Sequence, residues 1–452
     1  MPTVDRRALF ALARSYPRQY WLMVAGMVIS NAGGSLVWPF LLIFASGRLD
    51  LPLAAVGSLI TIQAGAGMLA SFVAGTLADR LGRKVVMFVS LASNGVIYLF
   101  LLNASGYAEF AVLMALFGMS NPMYQVGADA MLADMIPSEQ RTQAYSINRI
   151  ASNSGFALGP AIGGFLAATS YSLAFIGASI GFLSYAALVA LRFRETLPSR
   201  RPAGRLGEPA PAALTALPAA SLTTPPAASL AAPPPPPADR PAARRRGYGV
   251  VAADRRFVAF TLLLSLGLIA PTTLWILLAV YTKANFGLPE YLYGWIPTAN
   301  ALMCVFLQYP VTSVTRRYRP LPVVAFGMGI YAIGAGSVAV MSSFPGFLLS
   351  MVILTFGELI VVPVASKYVA DLAPPDLRGR YMSIYWLGWA ASRAAAPLIG
   401  GFINDQLAPI AIWYAAFVIG LASTAGLALL ARRSWAAERR PGSVIVPAEP
   451  YS

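Results

Sequence analysis

Apolar residues in this chain neither alternate nor mark one face of a helix; they run on for whole segments. Twelve such stretches can be drawn, at 19–46, 54–78, 85–103, 107–133, 143–168, 171–193, 257–282, 291–314, 321–341, 346–370, 380–404 and 409–431. Each is long enough for a helix to cross a bilayer, so the pattern predicts an all-α integral membrane protein. The first stretch follows a basic segment but is too long for a cleaved signal peptide. With eleven more behind it, it is expected to stay as a membrane anchor.

The polar segments between these runs are unequal. Arg80, Arg83 and Lys84 join spans 2 and 3, Arg141 joins 4 and 5, and a dense group from Arg192 to Arg256 separates 6 from 7. Arg316, Arg317, Arg319, Arg378, Arg432 and Arg433 continue the same side, whereas the alternate loops offer only Arg48 and Lys283. Positive charge accumulates on the cytoplasmic side of membrane proteins. Both termini and the central loop are therefore expected to be cytoplasmic, in a multi-pass protein of the inner or plasma membrane.

Residues 195–254 contain "AAPPPPPADRPAARRR" and have no apolar period. Such a composition buries no core and reads as a disordered, Pro/Ala/Arg-rich linker. It separates an expected six-helix bundle (1–194) from a second one (255–434), with a cytoplasmic tail at 435–452.

The two bundles repeat each other. An offset of 237 carries Trp38 onto Trp275, Pro52 onto Pro289, Gly57 onto Gly294, Thr61 onto Thr298 and Arg80 onto Arg317. The same offset carries "ADMIPSEQR" (133–141) onto "ADLAPPDLR" (370–378), then Pro160, Gly163 and Gly164 onto Pro397, Gly400 and Gly401. An unbroken offset implies two bundles of the same orientation, related by an axis along the membrane normal.

Composition narrows the function. Of 452 residues, 57 % are hydrophobic and 11 % charged, too few charges for a water-facing surface. No histidine and a single cysteine, Cys304, leave no ordinary metal site, disulfide framework or Ser-His hydrolase. The net charge of +15 lies where topology requires it, so no nucleic-acid partner is implied. No phosphate-binding loop is present, and no cofactor is expected; a proton gradient is the expected energy source.

Against this background "GTLADRLGRK" (75–84) is unusually charged. Twelve spans, a parallel 6+6 repeat and this loop resemble the major facilitator superfamily, whose G-x-x-x-D-R-x-G-R-K signature is matched at Gly75, Asp79, Arg80, Gly82, Arg83 and Lys84. Gly82 suits the tight turn, and Arg83 is placed to pair with Asp134 at the end of helix 4. The resemblance implies that Asp79 faces the positive end of helix 11, closing a cytoplasmic latch between the halves. "GFALGPAIGG" (155–164) resembles the antiporter-type helix 5 pattern at Gly155, Gly159, Pro160, Gly163 and Gly164, although small-residue packing accounts for the same glycines.

Ionisable residues inside spans are candidates for function. Asp129, Arg149, Glu358, Lys367 and Arg393 all lack a counterpart of the same type at the 237 offset, where Asn121 matches Glu358. Depth suggests two pairs, Asp129 with Arg149 and Glu358 with Arg393, and makes Glu358 the candidate proton carrier. Asn31, Trp38, Gln63, Tyr124, Trp275, Asn300, Tyr385 and Trp389 are the expected cavity lining. Taken together, these features lead us to expect a monomeric, proton-coupled exporter of drugs or amphipathic metabolites, partnered by lipid, protons and a small-molecule substrate. An uptake carrier for a sugar, acid or peptide is one alternative and a non-transporting membrane sensor another; no catalytic constellation points to an enzyme.

Overall fold

The computed structural model describes residues 16–197, 248–374 and 377–438. Of the linker expected over 195–254, residues 198–247 lie outside the described residues, as do residues 439–452 of the expected tail. Among those described the regular structure is wholly helical, with twelve helices of eighteen residues or more. They are α1 (Arg18–Leu49), α2 (Leu53–Leu81), α3 (Arg83–Asn103), α4 (Tyr107–Met135), α5 (Ser138–Thr169), α6 (Tyr171–Arg192), α7 (Arg255–Phe286), α8 (Trp295–Thr315), α9 (Pro320–Val340), α10 (Phe344–Leu372), α11 (Arg378–Gln406) and α12 (Ala411–Glu438). Eight of these are long and apolar enough to cross a membrane. The other four are α4, α5, α8 and α11. They are the helices diluted by Asp129, Arg149, Asn300 and Arg393, and thus hold much of the candidate site.

Local chemistry sets the boundaries. Pro39 tightens α1 into a single 3-10 turn at Trp38–Phe40. Gly82 alone joins α2 to α3, at φ +99°, a conformation that side chains resist. Asp254 caps α7, accepting from the Arg256 and Phe257 amides at 3.1 and 3.0 Å.

Packing within each half follows one scheme. α1 lies against α5 and α6, α2 against α4, and α3 against α4 and α6; in the second half α7 lies against α11 and α12, α8 against α10, and α9 against α10 and α12. The halves meet where α2 packs on α11 and α5 on α8.

The linker expectation is too wide at both edges. Glu195 docks on the first turn of α3, accepting from the Arg83 and Lys84 amides at 3.0 Å each. Tyr248–Ala253 forms a short helix whose Val251 is fully buried. Composition-based reading misses such edges because a single anchoring side chain leaves no period.

Candidate functional site

The contacts between the halves come in symmetric pairs. Thr61 donates to the Ala394 carbonyl at 2.7 Å, and Thr298 donates to the Ala157 carbonyl at 3.1 Å. A Cβ at Gly57 would meet the Pro397 carbonyl, and one at Gly294 the Pro160 carbonyl. Gly401 sits against the backbone of Leu53 and Ala54, as Gly164 does against Glu290 and Tyr291. Every partner in the second member of each pair is the first shifted by the 237 offset. Glycine is needed here because the two backbones leave no room for a side chain.

Two unpaired features reinforce this end. Asp405 accepts from the Leu53 and Ala54 amides at 3.1 and 2.8 Å, an acid from one half placed at the positive end of a helix in the other. Tyr171 donates to Glu290 at 2.7 Å across the halves, and Lys283 pairs with the same carboxylate at 3.0 Å. Burial pushes the Glu290 carboxyl up, but the hydrogen bonds from Tyr171 and Lys283 outweigh it and hold the group below its ordinary range.

The arginine-rich end is different. Gly75 and Gly379 face open space, and the Asp79 side chain is 64 % exposed. The apolar core tells the same story: one cluster runs through the second half into the far end of the first. Tyr16, Tyr20, Met87 and Leu132 form a separate core in the first half. Among the described residues, the hydrogen bonds between the halves all lie toward one end, and none crosses at the arginine-rich end.

This state bears on the charged loop. Arg83 pairs with Asp79 and with Asp134, at 3.2 Å each, as the spacing suggests for Asp134. Among the described residues Asp79 pairs with Arg83 of its own half, and no contact of Asp79 with α11 is made. Arg80 is exposed, and Lys84 donates to the Ala190 carbonyl at 2.8 Å. In α5, Gly155, Gly159 and Gly163 face the backbone of α1, whereas Pro160 and Gly164 face the second half. The motif is thus a packing surface on two fronts.

Neither expected acid–arginine pair forms. Asp129 is buried and accepts from Gln125, one turn earlier in α4, at 3.3 and 3.4 Å. Glu358 accepts from Asn300 Nδ2 at 2.8 Å, and the same amide reaches Thr355 at 2.9 Å. Arg149 of the other half is near enough for its charge to act on Glu358 and Cys304, but among the described residues no ion pair joins it to Glu358. Arg393 instead lies over the Trp38 ring, 5.0 Å from its centroid. Equal depth is not proximity: each residue turns a helix by about 100°, so depth alone leaves direction open. Lys367 pairs with Asp371 on its own helix.

The expected lining divides. Trp38 and Trp275 are half-buried against the shared core, and Trp389 stands 6.0 Å from Trp386. Asn31 donates to Ser152 at 2.8 Å, tying α1 to α5. Gln63 Oε1 is buried without a hydrogen bond among the described residues. Tyr124 packs edge-on against Tyr185, and Asn121 is exposed. Tyr385 is fully buried, its hydroxyl 3.0 Å from Ser366, so it supports the wall rather than lining it. Asp405, Glu290, Tyr171 and Glu195 were not foreseen; all lie at helix ends, where apolar runs give no signal.

Two helical bundles that meet at one end, with Glu358, Arg149 and Arg393 midway along their helices, define a membrane transporter. The chain belongs to the Major Facilitator Superfamily, whose family model matches residues 23–278 and 257–450. A Na(+), Li(+), K(+)/H(+) antiporter of Planococcus maritimus is 24 % identical, over 85 % of this chain and 89 % of its own. The quinolone resistance protein NorA of Staphylococcus aureus (strain MRSA252) is 30 % identical, over 38 % of this chain and 45 % of its own. Among solved structures, the peptide transporter POT in complex with sulfate superposes with a TM-score of 0.65 at 16 % identity, covering 92 % of this chain and 95 % of that one.

Proposed function

We propose that the protein exports hydrophobic or amphipathic compounds in exchange for protons, by alternating access, as a monomer in the cell membrane. One observation carries this reading: the halves are joined by symmetric contacts at one end only, above a mid-depth site holding Glu358, Arg149 and Arg393. On this reading twelve helices cross the bilayer, the arginine-rich loops and both termini face the cytoplasm, and the state described is inward-open. Residues 198–247 then join the two bundles on the cytoplasmic side.

Glu358 is the proposed proton site, since it is a carboxylate at mid-depth held by a neutral amide, with the charge of Arg149 from the other half near enough to act on it. Loss of that guanidinium when the halves rock apart would change its affinity for a proton. No cofactor enters the cycle. The antiporter and the drug-resistance relative support exchange and export. An uptake carrier for polar metabolites calls for a denser polar lining than Trp38, Trp275, Trp386 and Trp389 provide. A static sensor has no use for an end that opens.

Proton flux in proteoliposomes, measured against a panel of amphipathic compounds, tests the proposal. Substrate addition should move protons opposite to the substrate. Movement of both in one direction would replace export by uptake, and movement of neither would favour the sensor.

A further inference from the structure

We propose that the exported compound carries a single anionic group, a carboxylate, on an aromatic or apolar body, and that Arg393 binds it. This rests on the export reading above and narrows its substrate.

Arg393 lies midway along α11, where an uncompensated charge is costly. Its side chain is exposed, its guanidinium sits over Trp38 of the other half, and no carboxylate among the described residues pairs with it. The carboxylates inside the spans have other partners: Glu358 accepts from Asn300 and Asp129 from Gln125. A guanidinium stacked on a ring still keeps its fork of N–H donors, and that fork matches a carboxylate. Trp386 and Trp389 precede Arg393 at helical spacing on the same face of α11, and with Trp38 they supply an aromatic bed for the body of the ligand.

The open state lets water serve these donors. When the halves close over the cavity that water leaves, and the charge then needs a partner. A substrate carboxylate supplies one, so the loaded carrier closes more readily than the empty one. A monoanion matches the single guanidinium that Arg393 presents over Trp38. The offset places Phe156 at the matching position of the first half, so the anion site is single and the substrate binds in one orientation.

Binding to the purified full-length protein, read by quenching of tryptophan fluorescence, tests this with three probes: 2-naphthoate, its methyl ester and 2-naphthamide. The wild type should bind the acid about tenfold to a hundredfold more tightly than either neutral analogue, the worth of a charge-assisted hydrogen bond. Arg393→Gln should bring the acid down to the ester, and unchanged ester affinity shows that the variant is folded. Arg393→Lys should keep part of the preference. Equal binding of acid and ester by the wild type would overturn the anionic substrate while leaving amphipathic export standing. A preference that survives Arg393→Gln would remove Arg393 as its source. Binding of none of the three would overturn this inference, while the export reading stands or falls on the proton-flux measurement.

Discussion

Thr61 in α2 donates to the main-chain carbonyl of Ala394 in α11, and the same bond recurs between Thr298 and Ala157, each residue shifted by the 237 offset. The repeat in the sequence is therefore a repeat of contacts between the halves, not only of folds within them. Thr→Val keeps the shape and removes the donor. Hydrogen bonds between membrane helices contribute about 0.6 kcal/mol on average. Thr61→Val should thus shift the balance between the two states about threefold away from the one described, and Thr298→Val should do the same. Accessibility of cysteines engineered at the two ends of the bundle reads this shift, and the double variant should show the product of the two effects.

Gly164 and Gly401 occupy matching positions where backbones of the two halves touch, so a larger side chain cannot be absorbed by a flexible neighbour. Gly401→Leu should hold that end apart and stop transport while leaving membrane insertion and each bundle intact. Labelling should then be confined to the end that is closed here. Normal transport by this variant would show that the contact opens and closes with room to spare.

Glu290 makes the closed end sensitive to acid. Its carboxyl is held below its ordinary range by Tyr171 and Lys283, despite burial. A carboxylate whose pKa is depressed by a contact strengthens that contact above its ordinary pKa, and the gain is lost as pH falls through the lowered value. Labelling of the closed end should therefore rise only at strongly acidic pH in the wild type. Glu290→Gln should show the raised labelling at neutral pH, with no further rise on acidification.

How far the sequence could be read follows from which features repeat. The offset aligns Thr61 with Thr298, Pro160 with Pro397 and Gly164 with Gly401, because a symmetric interface imposes the same residue types twice. Arg83 and Asp134 were paired from the end of one helix to the end of another, where little choice of direction remains. Glu358 and Arg393 resist such reading for the opposite reason: mid-helix residues point wherever about 100° per residue takes them, and Asn300 and Trp38 stand nearer. Glu195, Glu290 and Asp405 act through backbone amides and lone hydroxyls at helix ends, which no apolar pattern records.

Glu358 allows the proton role to be separated from a structural one. It accepts from Asn300, a neutral donor, and the charge of Arg149 from the other half acts on it without an ion pair. Glu358→Gln keeps an acceptor for the Asn300 amide but cannot ionise. If Glu358 carries the proton, this variant should exchange substrate down its gradient and fail to accumulate it against one. If Glu358 serves only to offset Arg149, the variant strands a buried guanidinium and should lose a few kcal/mol of stability. Glu358→Gln combined with Arg149→Gln would then recover both stability and accumulation. Arg393 gives the control, since it faces Trp38 and not Glu358: adding Arg393→Gln to Glu358→Gln should rescue nothing. Measured as proton-driven accumulation beside counterflow in the same vesicles, a stable Glu358→Gln variant with counterflow and no accumulation establishes coupling. Recovery of accumulation in the Arg149 double variant removes Glu358 from it.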